Sequence, residues 1–331
     1  MNDLDPLADR RLLVKQVRLE AAGVVSLTLV DPDGAGLPPW APGAHIDLRL
    51  PSGTVRQYSL CGPPDDPLSY TVAVLREEHG RGGSVEVHDT ALTGRVLRAR
   101  GPRNHFPLVD AAHYLFLAGG IGVTPILAMA RRAAAADASW ELYYGGRSRR
   151  SMAFTEELSA VGGDRVHIVP QDEQGILPVV RLIDAAPPGT AVYCCGPEAM
   201  VGAVTRACAV SRPGALHVER FGAPPDGPPD GGAAGARGPS PGAAGFTVEL
   251  RRSGVTLDVP PDRTLLDVVR EAVPEVGFSC EEGYCGSCET KVLAGVPEHH
   301  DTVLSDQERE RGDTMMICVG RSASRLLTLD L

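Results

Sequence analysis

Three cysteines crowd into Cys280-Glu281-Glu282-Gly283-Tyr284-Cys285-Gly286-Ser287-Cys288, and a fourth, Cys318, follows after 29 intervening residues. The spacing C-x4-C-x2-C with one distant cysteine is the ligand pattern of a plant-type [2Fe-2S] cluster, in which four thiolates complete two sulfide-bridged iron tetrahedra. A loop that curls around such a cluster needs backbone freedom, which Gly283 and Gly286 supply. Two other readings compete. A structural zinc site would normally show paired C-x2-C knuckles, and only one pair is so spaced. Disulfides need an oxidising compartment, and nothing in the chain suggests export.

A second set of residues suits phosphates and flat rings. In Arg56-Gln57-Tyr58-Ser59-Leu60, alternate side chains share a strand face, so a guanidinium that can pair with phosphate lies beside an aromatic ring. Gly80-Arg81-Gly82-Gly83-Ser84 is a glycine-rich turn entering a helical stretch, Val85 to Thr90, whose free N–H groups can cradle a phosphate. Each piece alone also fits a surface pair or an ordinary turn. A third piece is Gly119-Gly120-Ile121-Gly122-Val123-Thr124-Pro125. It follows the apolar run Tyr114–Ala118 and enters a helix from Ile126 to Ala136. Thr124 is read as the N-cap and Pro125 as the first helical residue, and such a loop is a pyrophosphate site. It departs from the full dinucleotide fingerprint, because Pro125 stands where the last glycine would be.

These groups need elements to hold them. Short alternating runs at Leu12–Val17, Val24–Leu29, His45–Leu50, Val55–Leu60, Ser69–Leu75 and Val96–Ala99 predict an antiparallel barrel of about six strands. Beyond it, strands at Tyr114–Ala118, Trp140–Tyr144, Val166–Val169, Ala191–Cys195 and Leu216–Glu219 alternate with helices at Phe154–Val161, Pro178–Ala185 and Glu198–Val210. That alternation predicts a parallel, doubly wound sheet. Cys195-Gly196-Pro197 then ends a strand where open α/β sheets bind ligands. Of the 23 residues from Ala223 to Gly245, 13 are Gly or Pro, so this stretch reads as a flexible linker with a root-mean-square span of about 25–30 Å. After it come a hairpin (Phe246–Leu250, Val255–Val259), a helix (Leu265–Ala272), the cysteine loop, a strand about Lys291–Leu293, and Met315–Val319 bringing Cys318 from a strand edge. That order reads as a β-grasp ferredoxin fold.

The domain boundaries expected are therefore 1–108, 109–222, 223–245 and 246–331. The near-apolar stretch Ala111–Ala130 is broken by His113, glycines and Pro125, so it reads as a buried strand, turn and helix rather than a membrane span. The acidic start, Met1-Asn2-Asp3-Leu4-Asp5, argues against an export signal. A cytoplasmic protein is expected. The net charge is −10, and the segment from Phe246 to Leu331 holds 16 acids against 9 bases. An acidic surface on an electron carrier suits a basic partner. No basic block with interleaved aromatics points to nucleic acid.

Arg56-Gln57-Tyr58-Ser59-Leu60-Cys61, Gly80–Ser84, Pro102-Arg103-Asn104-His105-Phe106-Pro107-Leu108, Gly119–Pro125, Cys194-Cys195-Gly196-Pro197 and the cysteine cluster occur in that order. The chain thereby resembles the phthalate dioxygenase reductase family, with its vanillate O-demethylase reductases, over nearly its whole length. The resemblance implies FMN on the barrel, NADH or NADPH on the α/β domain and a C-terminal ferredoxin domain. It implies flavin contacts from Arg56, Tyr58, Ser59, Ala73, Val74 and Leu75, with the flavin phosphate on Gly82, Gly83 and Ser84. Thr124, Cys195 and Phe221 would lie near the flavin. Gly120, Gly122, Arg147, Cys195, Gly196 and Pro197 would form the dinucleotide cleft, and Cys280, Cys285, Cys288 and Cys318 would bind iron. A lysine common in relatives is replaced by Leu75, so one phosphate-facing charge is expected either to be lost or to be taken over by Arg76 or Arg81.

Electron counting then sets the expected activity. A hydride carries two electrons, the cluster takes one, and FMN stands between as the splitter. No acid–base triad is required. The expected activity is reduction of an oxygenase, first a Rieske-type aromatic-ring oxygenase or O-demethylase and second a cytochrome P450. An electron-carrier or redox-sensing module without nicotinamide turnover is the rival of another class. For the adenine ribose, Gly145-Gly146-Arg147-Ser148-Arg149-Arg150 has three arginines and no acid before Glu156. That favours the 2′-phosphate of NADPH, while the resembled family favours NADH. NADH is expected to be preferred, with NADPH used through Arg147 or Arg149.

Overall fold

Period-two burial builds the first sheet. Its strands are β1 (Arg10–Ala21), β2 (Val24–Val30), β3 (Ala44–Arg49), β4 (Val55–Ser59), β5 (Ser69–Leu75) and β6 (Val96–Asn104), ordered β4-β3-β6-β1-β2-β5. Leu12, Val14, Leu27, Leu29, Ile46 and Leu48 turn inward as one core. An antiparallel bridge between Leu60 and Val72, with Cys61 N donating to Thr71 O at 2.9 Å, joins the two edges into a barrel. Helix α1 (Gly83–Asp89) is held to the β3–β4 turn by the Glu86 carboxylate, which accepts from Ser52 N at 2.7 Å. The structure is a computed structural model describing residues 9–78, 80, 82–221, 245–274, 276–278, 281, 283, 286–301, 303, 304 and 306–331. The expected linker, apart from Gly245, lies outside the described residues.

The second sheet is parallel: β7 (His113–Gly119), β8 (Ser139–Gly146), β9 (Val166–Pro170), β10 (Ala191–Cys195) and β11 (Leu216–Glu219), in the order β11-β10-β7-β8-β9. Helices α2 (Val123–Ala135) and α3 (Thr155–Gly162), then α4 (Gln171–Gln174), α5 (Val179–Asp184) and α6 (Glu198–Ser211) connect its strands. One sheet face packs with α2 in a core that also takes in Val24, Cys61, Ala73 and Phe106 of the barrel. The other packs with α5 and α6. Both faces are covered, which is why β7 and β10 read as unbroken apolar runs.

Polar ties lock barrel and α/β domain together. Arg131 on α2 donates to the Cys61 carbonyl at 2.5 Å and pairs with Glu157 at 2.5 Å. Glu157 also pairs with Arg18 of β1 at 2.9 Å. The Tyr193 hydroxyl donates to Pro107 O at 3.0 Å and accepts from Val109 N at 2.8 Å, fixing the crossover between the domains. These two domains form one compact unit, Met1–Phe221, and Gly222–Leu331 forms a second.

The second unit is a mixed sheet of β12 (Phe246–Leu250), β13 (Val255–Val259), β14 (Glu289–Ala294), β16 (Thr314–Met316) and β18 (Leu326–Leu329). Its order is β13-β12-β18-β14-β16. Two short strands, β15 (Pro297–Glu298) and β17 (Arg321–Ser322), pair beside it, and α8 spans Asp306–Arg311. Helix α7 (Leu265–Ala272) is capped by Thr264, whose hydroxyl accepts from Asp267 N at 3.0 Å. It buries Leu265, Leu266, Val268 and Val269 against the sheet. The central strand β18, parallel to β12, is not revealed by sequence pattern, and neither are β15, β17 and α8. Among the described residues, no helix is long and apolar enough to cross a membrane.

Two expectations need correction. Helix α2 starts at Val123, after a tight turn over Gly120–Gly122, so Thr124 and Pro125 lie inside its first turn instead of capping and opening it. Thr124 spends its hydroxyl on Ile121 O at 3.0 Å, and Pro125 is tolerated because first-turn N–H groups have no intrahelical acceptor. Cys318 sits in the turn following β16, not on a strand, because Gly320 N returns to Met316 O at 2.8 Å and bends the chain.

Candidate functional site

The start of β4 meets the start of α1 through a glycine. A Cβ at Gly83 would come within 2.8 Å of Arg56 Cγ and Nε, so the Arg56 stem lies across the helix start only because no side chain is there. Gly82, with φ 79°, makes the left-handed turn that starts the helix. Ser84 Oγ accepts from Glu77 N at 3.0 Å and stiffens the same turn. Tyr58 packs on the barrel core, and burial pushes its phenol pKa up, which keeps it a neutral hydrogen-bond donor. Ala73 and Val74 are buried, and Leu75 is partly buried against the shared core. Arg76 does not replace a phosphate-facing lysine: it pairs with Glu78 at 2.6 Å and with Asp89 at 2.5 Å, at the far end of α1. Arg81 lies outside the described residues.

The carboxyl ends of β7 and β10 bring two glycine loops into contact. A Cβ at Gly122 would sit 2.3 Å from the Cys195 carbonyl oxygen, and one at Gly119 would sit 2.7 Å from Pro197 Cδ and 3.2 Å from Gly196 Cα. Gly120 has φ 54° and open space where a Cβ would be. The cleft at this strand-order reversal is where open α/β sheets take ligands.

Across the domain boundary, Ser59 Oγ donates to Glu219 Oε2 at 3.4 Å. Glu219 ends β11, in register with Cys195. Burial pushes its carboxyl up to about 8, with the Ser59 bond pulling slightly the other way. Burial, helped by the Glu219 charge, also pushes the Cys195 thiol well above its ordinary range. Thr124 is buried, and Phe221, two residues past Glu219, is 45% exposed. Glu219 was not singled out by sequence reading. Its signal was an acid closing the strand beside Cys195-Gly196-Pro197.

At the next strand end, the arginine-rich turn after β8 is ordered. Ser148 and Ser151 cap one another across the turn, Arg150 O accepts from Ala22 N at 2.9 Å and Arg147 O accepts from Asp172 N at 3.2 Å. Arg149 forks onto Glu173 of α4, with Nη2 at 2.9 Å and Nε at 3.3 Å from its two oxygens.

In the second unit, Cys288 and Cys318 are buried to within 3% and 2% of full exclusion. Cys288 O accepts from Ile317 N at 3.4 Å, which sets the two cysteine-bearing segments side by side. Gly283 and Gly286 take φ 73° and 74°, and a Cβ at Gly283 would come 2.6 Å from Val319 Cγ2. The loop thus presses onto the turn that carries Cys318. Cys280 and Cys285 lie outside the described residues.

Residues 248–322 match the family described as 2Fe-2S iron-sulfur cluster binding domain. Residues 97–212 match dimethylamine monooxygenase subunit DmmA-like, N-terminal domain. The beta subunit of phenoxybenzoate dioxygenase from Ectopseudomonas oleovorans is 42% identical over 98% of this chain and 98% of its own. The solved structure of phthalate dioxygenase reductase, described as a modular structure for electron transfer from pyridine nucleotides to [2Fe-2S], superposes with TM-score 0.69. It is 36% identical over 98% of each chain. The chain belongs to the phthalate dioxygenase reductase family. As a member it is an oxidoreductase, the reductase component of an oxygenase system, with flavin, nicotinamide and [2Fe-2S] cofactors. An intact type IV self-sufficient cytochrome P450 monooxygenase also superposes, with TM-score 0.85 and 41% identity. It covers 98% of this chain, which spans only 41% of that larger one.

The described side chains fit these groups. A glycine-bounded cradle lies under Arg56, two glycine loops face each other at the sheet switch point, and two buried thiols lie on adjoining segments.

Proposed function

We propose that this phthalate dioxygenase reductase relative takes a hydride from NADH on FMN and passes electrons singly through its cluster to a Rieske-type oxygenase acting on an aromatic compound. The observation that carries the reading is the meeting, within one unit, of the Arg56–Ser59 strand end with the paired loops Gly119–Gly122 and Cys195–Pro197 across the Ser59–Glu219 bond. A flavin on the barrel and a nicotinamide on the sheet would there be held by one unit. Bound in these places, FMN supplies the exchange between two-electron and one-electron chemistry, and the cluster supplies single-electron carriage.

Residues 1–108 hold FMN, 109–222 the nicotinamide and 246–331 the cluster, with 223–245 as linker. Arg56 and the turn Gly82, Gly83 and Ser84 receive the flavin phosphate. Tyr58, Ser59, Ala73, Val74 and Leu75 line the ring. Thr124, Cys195 and Phe221 would lie near the flavin. Gly120, Gly122, Cys195, Gly196 and Pro197 leave room for the dinucleotide backbone, and Arg147 reaches its adenosine end. Glu219 keeps a proton near neutral pH at the boundary shared by the two ring systems. Cys280, Cys285, Cys288 and Cys318 bind iron. The protein works in the cytoplasm, a reducing compartment that suits cluster thiolates. The acidic segment after the linker suits a basic partner surface.

The likeness to the P450 monooxygenase favours a second reading, in which the acceptor is a P450. Acid release of the flavin should yield FMN, and anaerobic NADH should bleach the flavin. The NADH-reduced protein should then reduce a purified Rieske oxygenase faster than a P450. FAD as the released species, or no bleaching, overturns the reading, and faster P450 reduction selects the second one.

A further inference from the structure

The end of β8 offers three arginines and no acid, the arrangement that usually favours a 2′-phosphate. The fold changes that balance. The parallel neighbour β9 ends at Pro170, level with Gly146, and α4 follows directly. It delivers Glu173 onto Arg149 through both carboxylate oxygens, at 2.9 and 3.3 Å. The turn is pinned by Asp172 N on Arg147 O, so the acid is brought to the arginine turn by backbone geometry as well as by the ion pair. Arg149 is 55% and Glu173 46% exposed, so the pair faces solvent where a bound nucleotide can reach it. The charged groups around it are Arg147 and Arg150 on the same turn and Asp172 beside Glu173. Glu173 takes the Nε/Nη2 edge of the Arg149 guanidinium, so a phosphate could use only the Nη1/Nη2 edge, beside a carboxylate that repels it.

We infer that Glu173 is the residue that selects NADH over NADPH. It takes one edge of the Arg149 guanidinium and places a carboxylate where the 2′-substituent of the adenosine ribose would lie, repelling phosphate and accepting from a hydroxyl. The acid expected on the strand that binds the ribose comes here from the next strand over. This inference rests on the nicotinamide reading above and names the side chain that decides its cofactor.

Calorimetry of the FMN- and cluster-loaded protein with 2′,5′-ADP and with 5′-ADP separates the two ideas. E173Q should bind 2′,5′-ADP at least tenfold tighter than wild type does, with the ratio of NADPH to NADH kcat/KM rising by a similar factor. E173Q/R149A should lose that gain. An unchanged ratio and unchanged 2′,5′-ADP affinity in E173Q, or a gain that survives the loss of Arg149, overturns the inference alone. A wild type whose flavin is reduced by neither nucleotide, and which binds neither ADP probe, overturns the nicotinamide reading as well.

Discussion

The two units assemble their sites in opposite ways. In the iron–sulfur unit, three of the four expected ligands fall within nine consecutive residues, and the fourth arrives on one adjoining turn. In the flavin–nicotinamide unit, the contacts that define the site join residues far apart in sequence. Ser59 and Glu219 are 160 positions apart, and Cys61 and Arg131 are 70 apart. A loop-built site depends on local spacing, whereas a boundary-built site depends on two domains being held in one relation. The first should fail completely when one ligand is lost, and the second should degrade by degrees.

The largest effect should follow from Cys288→Ser. Losing even an outer partner of a metal ligand costs about 10–100-fold, so losing a ligand should lower cytochrome c reduction by more. Flavin bleaching by NADH and ferricyanide reduction should persist. Full cytochrome c activity together with an unchanged visible spectrum would remove Cys288 from the ligand set.

Next is Gly122→Ala, where the added Cβ meets the Cys195 carbonyl at 2.3 Å. Prising the two loops apart by even about 1 Å can cost on the order of a hundredfold in hydride transfer. Single-turnover flavin reduction should slow while the cluster spectrum stays normal. A wild-type rate would show that the loops do not bound the nicotinamide cleft.

A smaller effect concerns proton linkage at the boundary. Glu219 has its carboxyl raised from an ordinary 4.5 to about 8 in the fold. Between those values the folded state binds a proton that the unfolded chain releases, so this group's stabilising contribution is full below about 4.5 and is lost as pH rises through about 8. Thermal melts of the holoprotein from pH 5 to 9 should show a falling Tm, and Glu219→Gln should flatten that slope. An equal slope in the variant would mean that other groups carry it.

The smallest is Thr264→Ala. Losing the cap on α7 should cost about 1 kcal/mol in the second unit. Urea melts followed at the cluster absorbance should show it, with flavin reduction unaffected. No shift would mean that water replaces the cap without cost.

The same contrast explains what could be read from residues alone. The hairpin of the second unit and α7 appear within the bounds that alternation and helical spacing gave them, because each is stabilised by neighbours in sequence. Strand β18 was missed because Leu326–Leu329 is four residues long and finds its partner, β12, almost 80 positions earlier. The glycine loops were legible as motifs, and the family resemblance, not their spacing, put them in one cleft. Thr124 looked like a cap because its type is right, but the turn over Gly120–Gly122 starts the helix sooner. Glu219 and Glu173 escaped notice for one reason: each acts on a residue of another strand or domain, and no local spacing marks that. Of the alternatives for the charge missing at Leu75, Arg76 is the one the fold disfavours, because two nearby carboxylates, Glu78 and Asp89, claim it.

On the proposed reading, electrons reach the cluster only through the flavin bound at the boundary between barrel and sheet. Stripping FMN while leaving the cluster in place, then mixing with NADH under anaerobic conditions, tests this directly. The cluster absorbance should stay oxidised in the stripped protein and bleach once FMN is restored. Cluster reduction by NADH at an undiminished rate without FMN would contradict it.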